Sequence, residues 1–385
     1  MKIFIIPTSY PDSQYPQKDI FIYEQAKELA RRGHSITILH VKKLPSKYYF
    51  SSVDKRILQF DDGFALRFMI KQKTFMESQL PGVNRDDFID SVKRLYSHAL
   101  SVVGAPDVIY AHFSCWAGFA ASLISKEYGI PLVSIEHYGH YLKSKINNQL
   151  KLAANTTRMQ SDAFLCVSLN LKKCIEKLSN IDKEIIVLPN MVDRQFKYVP
   201  VIQKEEFVFS SIGNLSRGKD FYRLIKAFSI AFSANEKVIL RIGGGGPEKK
   251  KLEKLIKKLN RSNQIVLLGR LTREQTIEEY INCNAFALAS QFETYGMVYR
   301  EALVTGRPIV TTNHGGFSSD DWHDEYGIMI PKKNTGKLAD ALKKIVQDYA
   351  EYHGDTISKI CLNDCSADVV GNKLEEILIS VVKKT

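Results

Sequence analysis

No apolar run in these 385 residues approaches the ~20 that a bilayer-spanning helix requires, so no spanning helix is expected. The opening Met1-Lys-Ile-Phe-Ile-Ile-Pro-Thr-Ser9 holds too short an apolar stretch for a signal peptide. It runs into Pro7 rather than a small-residue cleavage site, and reads as a buried first strand. The six cysteines (115, 166, 174, 283, 361, 365) form no Cys-x-x-Cys pair and no Cys/His grouping of zinc-finger spacing. Reduced, mostly buried thiols of a cytosolic protein fit this scatter. Acidic residues are in deficit, 42 against 54 Lys and Arg, and the formal charge of +12 calls for a polyanionic partner or an anionic surface. Nucleic acid is not expected as that partner, because the chain has no recognition motif and no interleaving of basic with aromatic residues.

What is present is an ordinary globular composition, 44% hydrophobic and 25% charged, in a chain longer than one hydrophobic core supports. Alternating apolar strands and amphipathic helices predict an α/β protein with parallel sheets. Strands are expected at 2–7, 35–41, 64–70, 107–113, 131–136, 163–168 and 185–189, with helices at about 19–32, 84–103, 115–128, 147–160 and 169–179. The aperiodic stretch around 195–206 separates this block from a second: strands at 207–213, 237–243, 264–268, 285–289, 308–312 and 327–330, and helices at 220–233, 247–260, 272–282, 297–305 and 335–349. The expected domains are 1–195 and 196–365, followed by an amphipathic terminal segment, 366–385.

The stretch Ser290 to Val310 is the most specific. A short strand, Ala285 to Ala289, leads through a turn at Gly296 into a helix that stops at Gly306. Glu293 lies in the loop and Glu301 about one turn beyond Met297 on the same face, so two carboxylates flank one helix N-terminus. The free N–H groups and dipole of such an end suit a phosphate. A carboxylate one turn in suits the vicinal hydroxyls of a ribose, and the set describes a pocket for a nucleotide diphosphate. On spacing alone, both acids also read as solvated helix-start residues.

The wording Glu293-Thr-Tyr-Gly-Met-Val-Tyr-Arg-Glu301-Ala-Leu-Val-Thr-Gly-Arg-Pro308 resembles the Glu-x7-Glu signature of glycosyl transferases group 1, or glycosyltransferase family 4: retaining, nucleotide-sugar-dependent enzymes of the GT-B fold. The resemblance implies two Rossmann-like domains facing an interdomain cleft, an acceptor-side first domain, a donor-binding second domain, and a C-terminal helix packed back on the first. It further implies that Glu301 holds the ribose, that the 296–298 backbone (Gly296, Met297, Val298) meets the β-phosphate, and that Glu293 supports the transferred sugar. Ser210-Ser-Ile-Gly-Asn-Leu-Ser-Arg-Gly-Lys-Asp220 is similar to the family's Gly-Arg-Leu…Lys-Gly segment. Gly213 and Lys219 match, whereas Asn214 stands where Arg is usual, and Arg217 is the expected replacement cation for the diphosphate. Leu240-Arg-Ile-Gly-Gly-Gly-Gly-Pro-Glu248 lacks the third glycine of a dinucleotide fingerprint and is similar instead to the family's Gly-x-Gly-Pro strand end. Arg270 and Leu271, in Ile265-Val-Leu-Leu-Gly-Arg-Leu-Thr272, are the expected base contacts.

In the first domain, His112 ends the strand Pro106-Asp-Val-Ile-Tyr-Ala-His112 and matches the second His of the family's His-x-His, with Tyr110 in place of the first. Ser134-Ile-Glu-His-Tyr-Gly139 resembles the Thr-x-His-Gly corner, which makes Glu136 and His137 cleft candidates. Asp19 occupies the position of a family glycine in an N-terminal loop that has no glycine, and joins them. The chain has no Asp-x-Asp, the usual Mg²⁺ or Mn²⁺ carboxylate pair, so no metal and no cofactor is expected beyond the nucleoside-diphosphate sugar. The expectation is sugar transfer to a glycan or lipid-linked acceptor in polysaccharide or glycolipid assembly, in the cytoplasm, with peripheral attachment to an anionic membrane through Lys71, Lys73, Lys93 and Arg94. A sugar-nucleotide epimerase or phosphorylase of the same fold, or a donor-binding scaffold without turnover, is the alternative.

Overall fold

A computed structural model describes residues 1–12, 17–45, 53–60, 63–74, 85–142, 146, 148–178, 181–202, 204–233, 237–317 and 321–384. Residues 13–16 of the N-terminal loop and the side chains of Lys71 and Lys73 lie outside the described set. The chain divides into two compact units: Met1–Met191 with Ala367–Thr385, and Val192–Ser366.

The first unit runs β1 (Lys2–Pro7), α1 (Ile20–Arg31), β2 (Ser35–Pro45), β3 (Val53–Phe60), β4 (Gly63–Thr74), α2 (Arg85–Val103), β5 (Val108–His112), α3 (Phe119–Tyr128), β6 (Leu132–Glu136), α4 (Asn148–Gln160), β7 (Ala163–Cys166), α5 (Leu169–Glu176) and β8 (Ile186–Val187). Its sheet has the order β3-β4-β2-β1-β5-β6-β7-β8. β1 is a continuous apolar run because helices cover both faces of a parallel sheet, and it pairs Ile3 with Ile36 of β2 and with Val108 of β5. Phe4, Leu39, Phe68, Phe88 and Tyr96 centre the core between this sheet and α2.

Two features of this unit differ from expectation. β3 is an extra edge strand, antiparallel to β4 with Ile57 opposite Leu66. The helix expected from 115 is regular only from Phe119, because Ser114–Gly118 forms a single wide turn in which Trp116 takes a φ of 67°.

The second unit runs β9 (Phe207–Ile212), α6 (Phe221–Ala231), β10 (Val238–Gly243), α7 (Lys249–Lys258), β11 (Ile265–Gly269), α8 (Arg273–Ile281), β12 (Ala285–Leu288), α9 (Met297–Val304), β13 (Ile309–Thr312), β14 (Gly327–Ile330), α10 (Thr335–Gln347) and α11 (Gly354–Cys365). Its strands are all parallel in the order β11-β10-β9-β12-β13-β14. α11, not foreseen, packs on α9, where Ser358 Oγ donates to the Val304 carbonyl at 2.6 Å. Arg307 is fully buried and donates to the carbonyls of Ile281 (2.6 Å), Cys283 (3.1 Å), Val199 and Thr305.

The last helix, α12 (Ala367–Val382), belongs to the first unit. Its stripe of Val370, Leu374, Leu378 and Val381 is buried at helical spacing. Glu375 accepts from Arg32 Nη1 at 2.9 Å and lies 2.8 Å from His34 Nε2, and Gly371 leaves room for the Arg32 guanidinium.

Among the described residues no helix is long and apolar enough to cross a membrane.

Candidate active site

In an open parallel sheet, ligands gather at the carboxyl ends of the strands where the chain reverses its direction of winding. In the second unit that point lies between β9 and β12, which pair Phe209 with Ala285. The loops leaving these two strands carry Lys219 and Glu293.

Lys219 Nζ is 2.6 Å from Glu293 Oε1, and Ser290 Oγ donates to the same oxygen at 2.6 Å. The loops are tied together by Gln291, whose N–H donates to the Gly218 carbonyl at 2.8 Å and whose amide donates to Asp220 Oδ2 at 2.5 Å. Burial works to raise the Glu293 pKa, but Lys219, His314 and Ser290 outweigh it and hold the carboxyl below its usual range. The pair is a preformed charge set at the mouth of α9. That helix starts at Gly296, whose φ of 83° suits glycine and which offers no side chain to cap the first turn. The Met297 and Val298 amides are therefore helix-end donors without intrahelical partners.

His314 lies beneath this turn. Its Nδ1 accepts from the Gly316 N–H at 2.9 Å, which puts the ring proton on Nε2, and the ring stacks on Tyr299 with centroids 4.7 Å apart. Burial pushes its pKa down to about 4, against the pull of Glu293.

Glu301 is buried one turn in. Arg273 Nη1 donates to its Oε1 at 2.6 Å. The Tyr280 hydroxyl, 3.2 Å from Oε2 and 2.9 Å from the Val298 carbonyl oxygen, shares its one proton between them. Arg273 is set by a capping box, Thr272 with Gln275, that starts α8, and its guanidinium stacks on Phe196 at 4.4 Å. With Arg273 on Oε1 and Tyr280 on Oε2, each carboxylate oxygen keeps a second lone pair that can accept from a hydroxyl.

The glycine loop after β10 is built for close approach. A methyl on Gly244 would stand 1.9 Å from the Gly213 carbonyl oxygen, and Gly213 N and Leu215 N donate to Gly243 O and Gly245 O at 3.0 and 2.9 Å. Asn214 faces Gly246, while Arg270 and Leu271 lie against Gly245 and Gly243. Arg217 is set apart from the Lys219–Glu293 pair. It is 90% exposed and 3.8 Å from Glu248, and lines a cavity of about 260 Å³ with Tyr222, Lys251 and Lys333.

In the first unit the corresponding reversal lies between β1 and β5. Here His112 Nδ1 is 3.2 Å from His137 Nε2, with the rings parallel within 12°, and Phe21 stacks on His137 at 4.3 Å. Both imidazoles are buried, and His112 Nε2 and His137 Nδ1 have no hydrogen-bond partner among the described residues. Burial pushes His112 down to about 3 and His137 well below its ordinary value. Glu136 accepts from the N–H groups of Ser114, His137 and Tyr138 at 2.7–2.9 Å and from the Ser114 hydroxyl. Burial outweighs these bonds and raises its pKa, and its role is to fix the wide turn after β5. Asp19, in the left-handed region at the start of α1, bonds the Ser9 hydroxyl.

Arg273, Tyr280 and His314 are the site residues that sequence reasoning missed. Ser290, three residues before Glu293, carried the one local signal. Among the described residues no three His, Cys, Asp or Glu side chains gather as a metal set.

Residues 193–359 match the profile of Glycosyl transferases group 1 and residues 19–196 that of Glycosyltransferase Family 4. The chain is 24% identical over 368 residues, 89% of each chain, to a putative teichuronic acid biosynthesis glycosyltransferase of Bacillus subtilis (strain 168). Sucrose-phosphate synthase from Thermosynechococcus elongatus superposes over the whole of both chains with a TM-score of 0.80 at 14% identity. Anabaena Alr3699/HepE in complex with UDP does so over 99% of this chain and 100% of its own, with a TM-score of 0.75 at 17% identity. These likenesses give the fold as GT-B. With one profile on each unit and the two running together from residue 19 to residue 359, the chain belongs to the glycosyl transferases group 1, family 4, and is a glycosyltransferase.

Proposed function

We propose that this glycosyltransferase moves a sugar from a nucleoside-diphosphate donor to an acceptor hydroxyl with retention of the anomeric configuration and without a metal. The observation that carries the reading is the Lys219–Glu293 pair and the buried Glu301 flanking the uncapped N-terminus of α9. Lys219 and the Met297 and Val298 amides neutralise the diphosphate, Glu301 holds the ribose hydroxyls, and Arg270 and Leu271 border the base. Glu293 supports the transferred sugar. His112, with His137 and Glu136 behind it, is the first unit's contribution on the acceptor side. Rate enhancement then comes from positioning and from stabilising the leaving diphosphate.

The UDP bound by Alr3699/HepE supports a nucleotide donor, and the Bacillus relative supports an acceptor in cell-surface polysaccharide assembly. The charge of +12 supports work on a lipid-diphosphate acceptor in the cytoplasm, at an anionic membrane face.

The test is nucleoside-diphosphate release from UDP-, GDP- and ADP-sugars, by wild type and Glu301→Ala, with and without lipid-diphosphate and glycan acceptors, in the presence and absence of EDTA. Release from one donor that rises with acceptor, ignores EDTA and vanishes in the variant is the expected result. Turnover by Glu301→Ala at the wild-type rate, or activity abolished by EDTA, would overturn the assignment.

A further inference from the structure

Arg300 precedes Glu301 in α9 and points the other way, into the protein, where it is almost fully buried. Its guanidinium is sandwiched between two rings, 3.6 Å from the centroid of Tyr295 and 4.2 Å from that of Phe317. One arm, Nη1, donates to the Tyr295 carbonyl in the loop that carries Glu293. The other, Nη2, donates at 3.2 Å to the Gly316 carbonyl in the loop that follows β13. Gly316 in turn donates its N–H to His314 Nδ1, and a methyl group added to it would stand 2.8 Å from the Tyr295 carbonyl oxygen and 2.9 Å from Glu293 Cβ. The two loops therefore touch at Gly316, and Arg300 clasps both beside that contact.

We propose that Arg300 is a positioning residue for the donor site, a planar two-armed staple that locks the Glu293 loop and the His314 loop into one rigid wall before the nucleotide arrives. The inference rests on the donor-site reading above. The chemistry asks for this side chain. A guanidinium reaches two carbonyls from one fixed plane and stacks between rings, whereas an ammonium is a point donor that satisfies one carbonyl and leaves the other to water. Buried carbonyls that lose their donor move to find another, and the Glu293 carboxylate and the α9 amides move with them.

The test compares wild type, Arg300→Lys and Arg300→Met by amide hydrogen exchange and by calorimetric titration with UDP, GDP and ADP. In Arg300→Lys, exchange is expected to rise at 293–298 and 313–317 while β10, β11 and their loops exchange as in wild type. The nucleotide that binds wild type is expected to bind roughly 10- to 100-fold more weakly, the size of the loss of one hydrogen bond to a charged group. Arg300→Met is expected to go further in the same segments. Unchanged exchange in those segments, unchanged nucleotide affinity in Arg300→Lys, or faster exchange spread evenly over Val192–Ser366 would each overturn the proposal, the last by reducing Arg300 to a general prop. If no nucleotide binds wild type, the donor-site reading fails and takes the nucleotide half of the proposal with it, while the exchange pattern still decides whether the staple exists.

Discussion

Replacing Lys219 with Met removes the charge that faces Glu293 and keeps most of the side-chain volume. In the wild-type protein the two are in contact at 2.6 Å, with Lys219 23% and Glu293 12% exposed. Stripping one partner from a fully buried pair costs about 3–5 kcal/mol, and a hydrogen bond to a charged group is worth about 1.5–3 kcal/mol. Lys219 is a quarter exposed, so water enters in its place and the lower bracket applies, about 2 kcal/mol at pH 7.5. For a unit of this size that is about 4–8 °C in the calorimetric Tm.

The loss depends on pH in a direction that the burial of Glu293 dictates. In wild type its pKa lies below the unfolded value, so the stabilisation is present above the ordinary carboxylate range and fades as pH falls through the folded pKa. In Lys219→Met the burial of Glu293 loses its main opponent and the pKa rises, so the variant gains stability as the carboxyl takes up its proton. The gap in Tm between the two proteins is therefore expected to close between pH 7.5 and about pH 4. A gap that stays constant, or widens in acid, would refute a charge-pair origin.

Arg273→Met, which leaves Tyr280 as the side-chain partner of Glu301 among the described residues, is expected to weaken nucleotide binding by about 1–2 kcal/mol without loss of fold, and calorimetric titration beside Glu301→Gln would check it. Arg307→Met strips the shared donor from four carbonyls, two of them (Cys283 and Thr305) buried, and is expected to cost about 3 kcal/mol, a fall of roughly 6–12 °C in Tm on heating by calorimetry. His112, held near a pKa of about 3 by burial, stays neutral from pH 5 to 9. The pH profile of kcat/KM is thus expected to keep its shape in His112→Gln while falling in height, and an inflection near pH 6.5 that disappears in the variant would contradict this.

The alternation of parallel strands and helices was legible because strands buried on both faces, such as Lys2–Pro7, are near-continuous apolar runs. β3 was not, since Val53–Phe60 carries Lys55, Arg56 and Gln59 on an edge and leaves Ile57 exposed, which blurs both periodicities. α11 begins at a glycine and has no capping side chain to announce it. Within the site, Glu293, Glu301 and Lys219 followed from local spacing and family wording. Arg273 did not, because it reads as a surface cation in a first helical turn until the fold brings it to a carboxylate 28 residues away. Nothing in Asn313-His-Gly315 announces that His314 will sit under α9. Arg217 has the right charge at a plausible position, yet the turn at Arg217–Lys219 sends neighbouring cations to different surroundings, Lys219 toward Glu293 and Arg217 toward Glu248.

The placement of α12 has a consequence for how the protein is made. Val192 and Ser366 form a β-bridge, and the Val192 N–H donates to the Cys365 carbonyl at 2.8 Å, so the second unit begins and ends at one spot. In topological terms it is an insertion within the first. A ribosome that has released Ser366 has released every residue the second unit needs, whereas the first unit still waits for the stripe from Val370 to Val381. The half of the chain synthesised first therefore completes its core only after the second unit has been made, with the surface that α12 covers left open to other apolar surfaces until Val381 is released.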